Sequence, residues 1–301
     1  GTLLGRSGST ISREYKRNCG SACFYLPSKA NQEAKLRKAQ AGLRKSKCEA
    51  YEKYIYKKLT IGWTPSQIAG RLTMEEKGFS VSYETIYEFI YNYHIDWAKL
   101  LPRKHEPRWF RGMGRKHSKR EMIPNRTSIL KRPDKVGDKS EFGHFEGDSI
   151  VCSQSKESLN VMVERQTQHV SINRVLNRGA EATKNVMVEV LGGFKGSCHS
   201  ITLDNGIEFK RHEGVKKALN IATYFCQPYH SWEKGLVEQV NGLIRRFLPK
   251  KTDLSKVTDK EIKLIEYLLN SRPRKLLNWL TPAEVFSEKS GMKLVGDAIA
   301  T

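Results

Sequence analysis

The chain has 301 residues, 38% of them apolar and 28% charged, enough for at least one true core. No run approaches the apolar length of a membrane span, and the first residues carry no basic-then-apolar leader, so a membrane or exported protein is not expected and a cytoplasmic one is. Lys and Arg number 53 against 32 Asp and Glu, a formal charge of +21. The excess is lopsided: residues 1–140 carry 30 basic and 13 acidic side chains, residues 141–301 carry 23 and 19. A polyanion such as DNA or RNA suits that distribution, because each phosphate neutralised releases counterions. A membrane surface would also attract lysines, but it calls for a basic amphipathic helix or a lipidation signal, and neither is evident. The six cysteines, Cys19, Cys23, Cys48, Cys152, Cys198 and Cys226, lack zinc-knuckle spacing and read as reduced thiols.

In chain order, Gly5 to Asn18 reads as a turn and a short helix, capped by Ser9 or Thr10, with Arg13, Lys16 and Arg17 on one side. Hydroxyls and basic residues near a helix N-terminus are what a helix-turn-helix recognition helix presents to base edges, although a solvated basic helix looks the same. A preceding helix would be needed, so residues 1–20 read as a truncated helix-turn-helix remnant. Residues 31–59 read as a basic helical stretch ending near Gly62. Thr64-Pro65-Ser66-Gln67 is a capping box with proline at the first helical position, opening a helix with Ile68, Ala69 and Leu72. After Gly78 a second helix starts at Ser82 and runs through Thr85, Ile86, Phe89 and Ile90. These two helices, over 63–93 within a helical region 21–101, suggest a second helix-turn-helix with Ser82 and Thr85 facing DNA, or a hairpin that only packs.

From 102 to 140 periodicity is lost, and between Arg103 and Lys139 there are 13 basic and four acidic residues. This reads as a basic linker near the DNA backbone, with Trp109 and Phe110 stacking on bases or packing. Strands are then expected at 144–151, 159–164 and 170–176, a helix at 180–191, strands at 200–204 and 222–225, and helices at 234–247 and 259–269, the last opened by a Thr258–Glu261 capping box. Together 141–290 is a mixed α/β domain, and 291–301 a C-terminal tail.

Two aspartates fall on or at the ends of these strands: Asp148, after Gly143-His144-Phe145-Glu146-Gly147, and Asp204, before Asn205-Gly206. Each is flanked by apolar residues, and a carboxylate on a core strand is costly unless something cationic pairs with it. An arginine or a metal would serve, and two carboxylates fit a divalent metal with hard oxygen ligands better. On the helix from Lys234, Leu236, Val237, Val240, Leu243, Ile244 and Phe247 gather on one face. Glu238, Asn241 and Arg245 fall on the opposite side. An acid there is available for chemistry, or merely solvated.

Residues 141–286 closely resemble the insertion-sequence-thirty family of bacterial transposases, within the DDE group that shares a ribonuclease H-like fold with retroviral integrases. The matching runs are Gly143–Asp148, Asp204-Asn205-Gly206-Ile207-Glu208-Phe209, Pro228-Tyr229-His230-Ser231-Trp232-Glu233-Lys234-Gly235, Glu238, and Asn241-Gly242-Leu243-Ile244-Arg245. Pro249-Lys250-Lys251-Thr252-Asp253 and Asn270-Ser271-Arg272-Pro273-Arg274-Lys275 continue it. Asp204 and Glu238 have 33 residues between them, the interval that family shows. The resemblance implies a ribonuclease H-like catalytic domain preceded by a small all-α DNA-binding region. It implies that Asp148, Asp204 and Glu238 bind two Mg²⁺ or Mn²⁺ ions and that double-stranded DNA is cleaved and joined at element ends and in a target. Arg245 would contact DNA, with Asn205, His230 and Asn241 supporting the acidic trio and Trp232 a weaker candidate beside His230. A homodimer or larger assembly on synapsed DNA and a nucleoid-associated bacterial setting also follow.

The chain departs from the pattern at Phe145, where the family usually has Trp, and at Val237 and Gln239, where Asn is frequent. Two alternatives to a working transposase stand beside it: a truncated DNA-binding relic or repressor, and a plain ribonuclease H-type nuclease, which would not need the basic first half.

Overall fold

The computed structural model describes residues 5–18, 25–41, 47–76, 78–102, 123–152, 154–194, 196–228 and 230–292, the side chains of 39–41, 231 and 232 excepted. The chain divides into two compact units, 1–53 and 54–301. In the first, α1 (Gly8–Asn18) and α2 (Pro27–Ala41) are tied by Arg37, which donates to the Asn18 side chain at 2.8 Å. The cap lies two residues before the nearer expected one: Ser7 Oγ accepts from the Thr10 backbone N–H at 3.3 Å, so neither Ser9 nor Thr10 is the cap. Trp109, Phe110, Cys19 and Cys23 fall outside the described residues, as does 293–301 of the expected tail.

The second unit begins with helices. α3 (Glu52–Thr60) leads to α4 (Pro65–Glu75), whose capping box forms as its sequence requires, and then to α5 (Tyr83–Tyr93). The residues the periodicity marked are buried, Ile68, Ala69 and Leu72 on α4 and Ile86, Phe89 and Ile90 on α5, and Pro65 is buried with them. What periodicity did not reveal is that α4 is docked on the C-terminal part of the chain. Gln67 donates to the Pro273 carbonyl at 3.1 Å. Arg71 makes a forked pair with Glu284 at 2.9 and 2.7 Å. Gly70 lies against Trp279 so closely that an added Cβ would sit 2.1 Å from the ring. Gly70→Val is therefore expected to lower stability by about 1–3 kcal/mol, the usual cost of overpacking, read as a fall in urea midpoint.

The charge of residues 123–140 predicts the second half of a linker; the structure packs this segment against the sheet edge instead. Ile123, Ile129 and Val136 are buried at intervals of six and seven residues, too sparse to register as periodic among so many lysines and arginines. Phe225 donates its backbone N–H to the Thr127 carbonyl at 2.8 Å, continuing the sheet edge, and a single helical turn, α6 (Asp134–Gly137), follows.

The sheet has five strands in the order β3-β2-β1-β4-β5: β1 (His144–Val151), β2 (Ser158–Glu164), β3 (Val170–Val175), β4 (Ser200–Leu203) and β5 (Ala222–Phe225). β1, β2 and β3 form an antiparallel meander, whereas β4 runs parallel to β1 and β5 parallel to β4. The parallel pairs are reached through α7 (Ala180–Gly192) and α8 (His212–Leu219), as parallel strands require crossovers. α9 (Gly235–Phe247), α10 (Asp259–Asn270) and α11 (Pro282–Ser290) close the chain. This mixed sheet flanked by helices is the ribonuclease H-like arrangement expected. Strand boundaries fell within two residues of expectation, while α8 and α11 had not been anticipated.

Two cores cover the two faces. Leu159, Val161, Val163, Val170 and Ile172 pack with Val237, Val240, Ile244 and Leu269 of α9 and α10; Phe145, Met162, Ile201, Leu203 and Phe225 pack with Met187 and Leu191 of α7 and Phe286 of α11. Because strand side chains alternate, β1 gives Phe145 to one core and Ile150 to the other, which puts Glu146 and Asp148 on the α9 side. Phe145, standing where the resembled family usually has Trp, is 1% exposed in the second core and stacked on Phe194 at 5.8 Å.

His169 is buried against Phe286, and burial, then the Lys263 ammonium, pushes its imidazole down to about 4. The folded chain thus refuses a proton that the unfolded chain accepts near pH 6.5. Its contribution is intact above pH 6.5 and is lost as pH falls from 6.5 to about 4, a loss of about 3 kcal/mol. His169→Phe should flatten that part of the urea-midpoint profile relative to the unsubstituted chain.

Candidate active site

The register of β1 on β4 pairs His144 with Ser200, Phe145 with Ile201 and Glu146 with Thr202. Carried on by two residues, it sets Asp148 level with Asp204, which follows the last residue of β4. Two acids far apart in the chain thus come together just beyond the stretch where β1 and β4 pair, Asp148 within β1 and Asp204 past the end of β4. Between them lies Lys234, 3% exposed. Its Nζ is 3.2 Å from Asp148 Oδ1 and 3.6 Å from Asp204 Oδ2, and it donates to the Gly147 carbonyl at 3.1 Å.

The other oxygens are also held. Asn241 donates from Nδ2 to Asp148 Oδ2 at 2.6 Å, and the Gly206 backbone N–H donates to Asp204 Oδ1 at 2.9 Å. Asn241 Oδ1 is buried with no hydrogen-bond partner, an orphaned acceptor beside the paired acids. Burial holds the Asp148 carboxyl above its usual range, with Asp204 adding to it and Lys234 offsetting part. Burial alone would lower Lys234, but the Asp204 and Asp148 carboxylates more than reverse that. Asp148, Asp204 and Glu208 line one cleft of about 400 Å³ with Ser149, Asn205, Gly206 and Ile207. The Glu208 carboxyl is raised too, by burial first and also by the like charges of Asp204 and Asp148. A larger cleft of about 520 Å³, among Glu181, Lys184 and Arg211, is lined by none of these acids and is already internally ion-paired.

Glu238 stands on α9 one turn from Asn241 and one turn from Lys234, both of which touch Asp148; its own side chain is exposed. Among the described residues no three His, Cys, Asp or Glu side chains converge enough to hold a metal ion, so Glu238 is on the right stripe of α9 but not drawn in to the aspartates. Arg245 continues that stripe, donating to the Val151 carbonyl at 2.7 Å and lying 3.2 Å from Cys152 Sγ, so it braces the end of β1. The face of α9 read as pointing away from the core therefore lies along β1.

Other expected site residues serve locally. Asn205 accepts from Arg126 and donates to the Cys226 carbonyl at 2.9 Å, fixing the turn after Asp204. His230 lies 3.5 Å from Glu233, whose other oxygen accepts from the Gln227 backbone N–H. Ser82 caps α5 by accepting from the Thr85 backbone N–H at 3.2 Å and shares a hydroxyl contact with the Thr85 side chain. Ser9, Arg13, Lys16 and Arg17 are exposed on α1, with Arg13 donating to the Ser9 carbonyl at 3.2 Å.

No protein-family model matches the chain. It is 39% identical to the transposase for insertion sequence element IS4351 of Bacteroides fragilis, over 95% of this chain and 88% of that protein. The chain belongs to the insertion-sequence transposases. This transposase is also 31% identical to transposase InsI for insertion sequence element IS30A of Escherichia coli K12, over 94% of this chain and 76% of that protein. Among solved structures, the catalytic core domain of BIV integrase shares 20% identity with it over 50% of this chain and 96% of that one, with a TM-score of 0.40.

Three residues of the candidate site in this transposase are not singled out by their sequence. Lys234 and Glu208 lie inside matching runs, yet a lysine in a basic chain and one more acid are not distinguished by residue type. The signal for Lys234 was its spacing, four residues before Glu238 and seven before Asn241, which places all three on one stripe. Glu146, 2% exposed, pairs with Arg165 at 3.2 Å and accepts from the Val237 backbone N–H at 3.1 Å. Its signal was its place two residues before Asp148, on the same face of β1.

Proposed function

We propose that this transposase cleaves DNA strands at insertion-sequence ends and joins them to target DNA, with Asp148 and Asp204 holding divalent metal and Glu238 completing the site. The observation that carries this reading is the convergence of two carboxylates on one cation, at 3.2 and 3.6 Å, at the end of a parallel strand pair. The donor set fits Mg²⁺ or Mn²⁺: hard carboxylate oxygens in a place that already stabilises positive charge, next to the orphaned Asn241 Oδ1. Two ions per site would need Glu238 as a further ligand. Bound there, they would supply an activated water or 3′-hydroxyl and neutralise charge on the scissile phosphate.

The chain's own residues prepare that chemistry. Asn241 fixes the orientation of the Asp148 carboxylate, Gly206 that of Asp204, and Glu146 anchors the first turn of α9 so that Glu238 is presented at the site's edge. Outer contacts of this kind set ligand geometry and commonly change metal affinity 10–100-fold when removed, taken as an order of magnitude. The substrate is double-stranded DNA, approached by the exposed basic face of α1 (Arg13, Lys16 and Arg17, beside Ser9) and by Ser82 and Thr85 at the start of α5. Arg245 lies beside the site, and joining two ends requires at least two copies of the chain.

A labelled element-end duplex incubated with Mg²⁺ or Mn²⁺ tests this, comparing the chain with Glu238→Gln. Metal-dependent cleavage and joining that disappear in the variant are the expected outcome. Binding without cleavage in the unsubstituted chain would overturn it in favour of a DNA-binding relic.

A further inference from the structure

A buried ammonium is costly unless it is compensated, and Lys234 donates to Gly147 and Asp148 and forms an ion pair with Asp204 at 3.6 Å. Its backbone is prepared for this: at φ −117° and ψ 39° it stands just outside α9, so the side chain turns back against β1. The first turn of that helix is in turn pinned through Val237 to the buried Glu146. Without Lys234, Asp148 and Asp204 would face one another as two like charges in a half-buried cleft.

We propose that Lys234 is the resident counter-ion of the site. It holds Asp148 and Asp204 together in the metal-free chain and competes with divalent metal for the same oxygens. This rests on the reading that these two acids bind metal. Its consequence is a threshold: an incoming ion has to displace Nζ from at least one carboxylate, so Lys234 sets the metal concentration at which the site fills.

Lys234→Gln keeps much of the length and removes the charge; Lys234→Arg keeps the charge. In the full chain, thermal unfolding in EDTA and Mn²⁺ affinity by electron paramagnetic resonance are the two readouts. Lys234→Gln is expected to unfold several degrees lower without metal, yet to bind Mn²⁺ about tenfold more tightly or better, from the Coulomb repulsion removed. Lys234→Arg should stay near the unsubstituted chain in both. Unchanged or weaker Mn²⁺ binding in Lys234→Gln would overturn the competition. If no chain binds Mn²⁺, the metal reading fails, and the melting temperatures in EDTA alone decide the counter-ion: a drop in Lys234→Gln that Lys234→Arg escapes supports it, and equal values overturn it. Should Lys234→Gln fail to fold, the Asp148→Asn, Lys234→Gln pair decides. Recovered folding supports the pairing, and failure to recover overturns it.

Discussion

An Asp204→Asn chain is expected to fold normally, bind DNA and lose strand cleavage by about a thousandfold, since a ligated metal contributes several kcal/mol to the transition state. The side chain is 37% exposed and stands just past the end of β4, so the amide costs the core nothing. Its Oδ1 can still accept from the Gly206 N–H, which keeps the turn in place. What is lost is a negative charge facing Lys234 Nζ. Single-turnover cleavage at saturating DNA, with circular dichroism as the check on folding, makes the measurement. Cleavage within tenfold of the unsubstituted chain would mean that Asp204 holds no metal.

The second large effect is on stability and reaches the site indirectly. Glu146→Ala is expected to cost about 3–5 kcal/mol, the penalty for leaving one partner of a buried ion pair uncompensated. Arg165 would keep its bonds to the Val136 carbonyl at 2.6 Å and the Gly137 carbonyl at 3.4 Å, but no carboxylate would face it. The Val237 N–H at the head of α9 would lose its acceptor as well. Glu146→Gln, which retains an acceptor oxygen, should fall between, and adding Arg165→Met to Glu146→Ala should recover part of the loss. Urea unfolding gives the comparison directly; equal midpoints for Glu146→Ala and the unsubstituted chain would remove Glu146 from any role in holding α9.

Much of this molecule was legible before its structure. Strand positions followed from short strand-like runs set off by turn residues, such as 159–164, and the capping boxes at Thr64 and Thr258 formed as their spacing required. The aspartates were found because a carboxylate among Ile150, Val151, Ile201 and Leu203 needs a reason. What stayed hidden depended on tertiary contact. Ile123, Ile129 and Val136 are isolated apolar residues in a basic stretch and become a core only against the sheet edge. α8 is eight residues long with Gly214 inside it, too short and interrupted to announce itself. Lys234 resembles the chain's other lysines until β1 and β4 are paired beside it, and Glu238, the third member of the expected trio, stands exposed on α9 one turn from Lys234 and from Asn241.

The docking of α4 carries one more consequence. Gln67, Gly70 and Arg71 weld this helix to the segment around Pro273, Trp279 and Glu284, which itself packs through Phe286 on the sheet that bears Asp148. Helix and sheet are therefore joined through folded protein. On the proposal that α5 meets DNA and that Asp148 and Asp204 cut it, the span between the two would be a length built into folded protein rather than a slack tether.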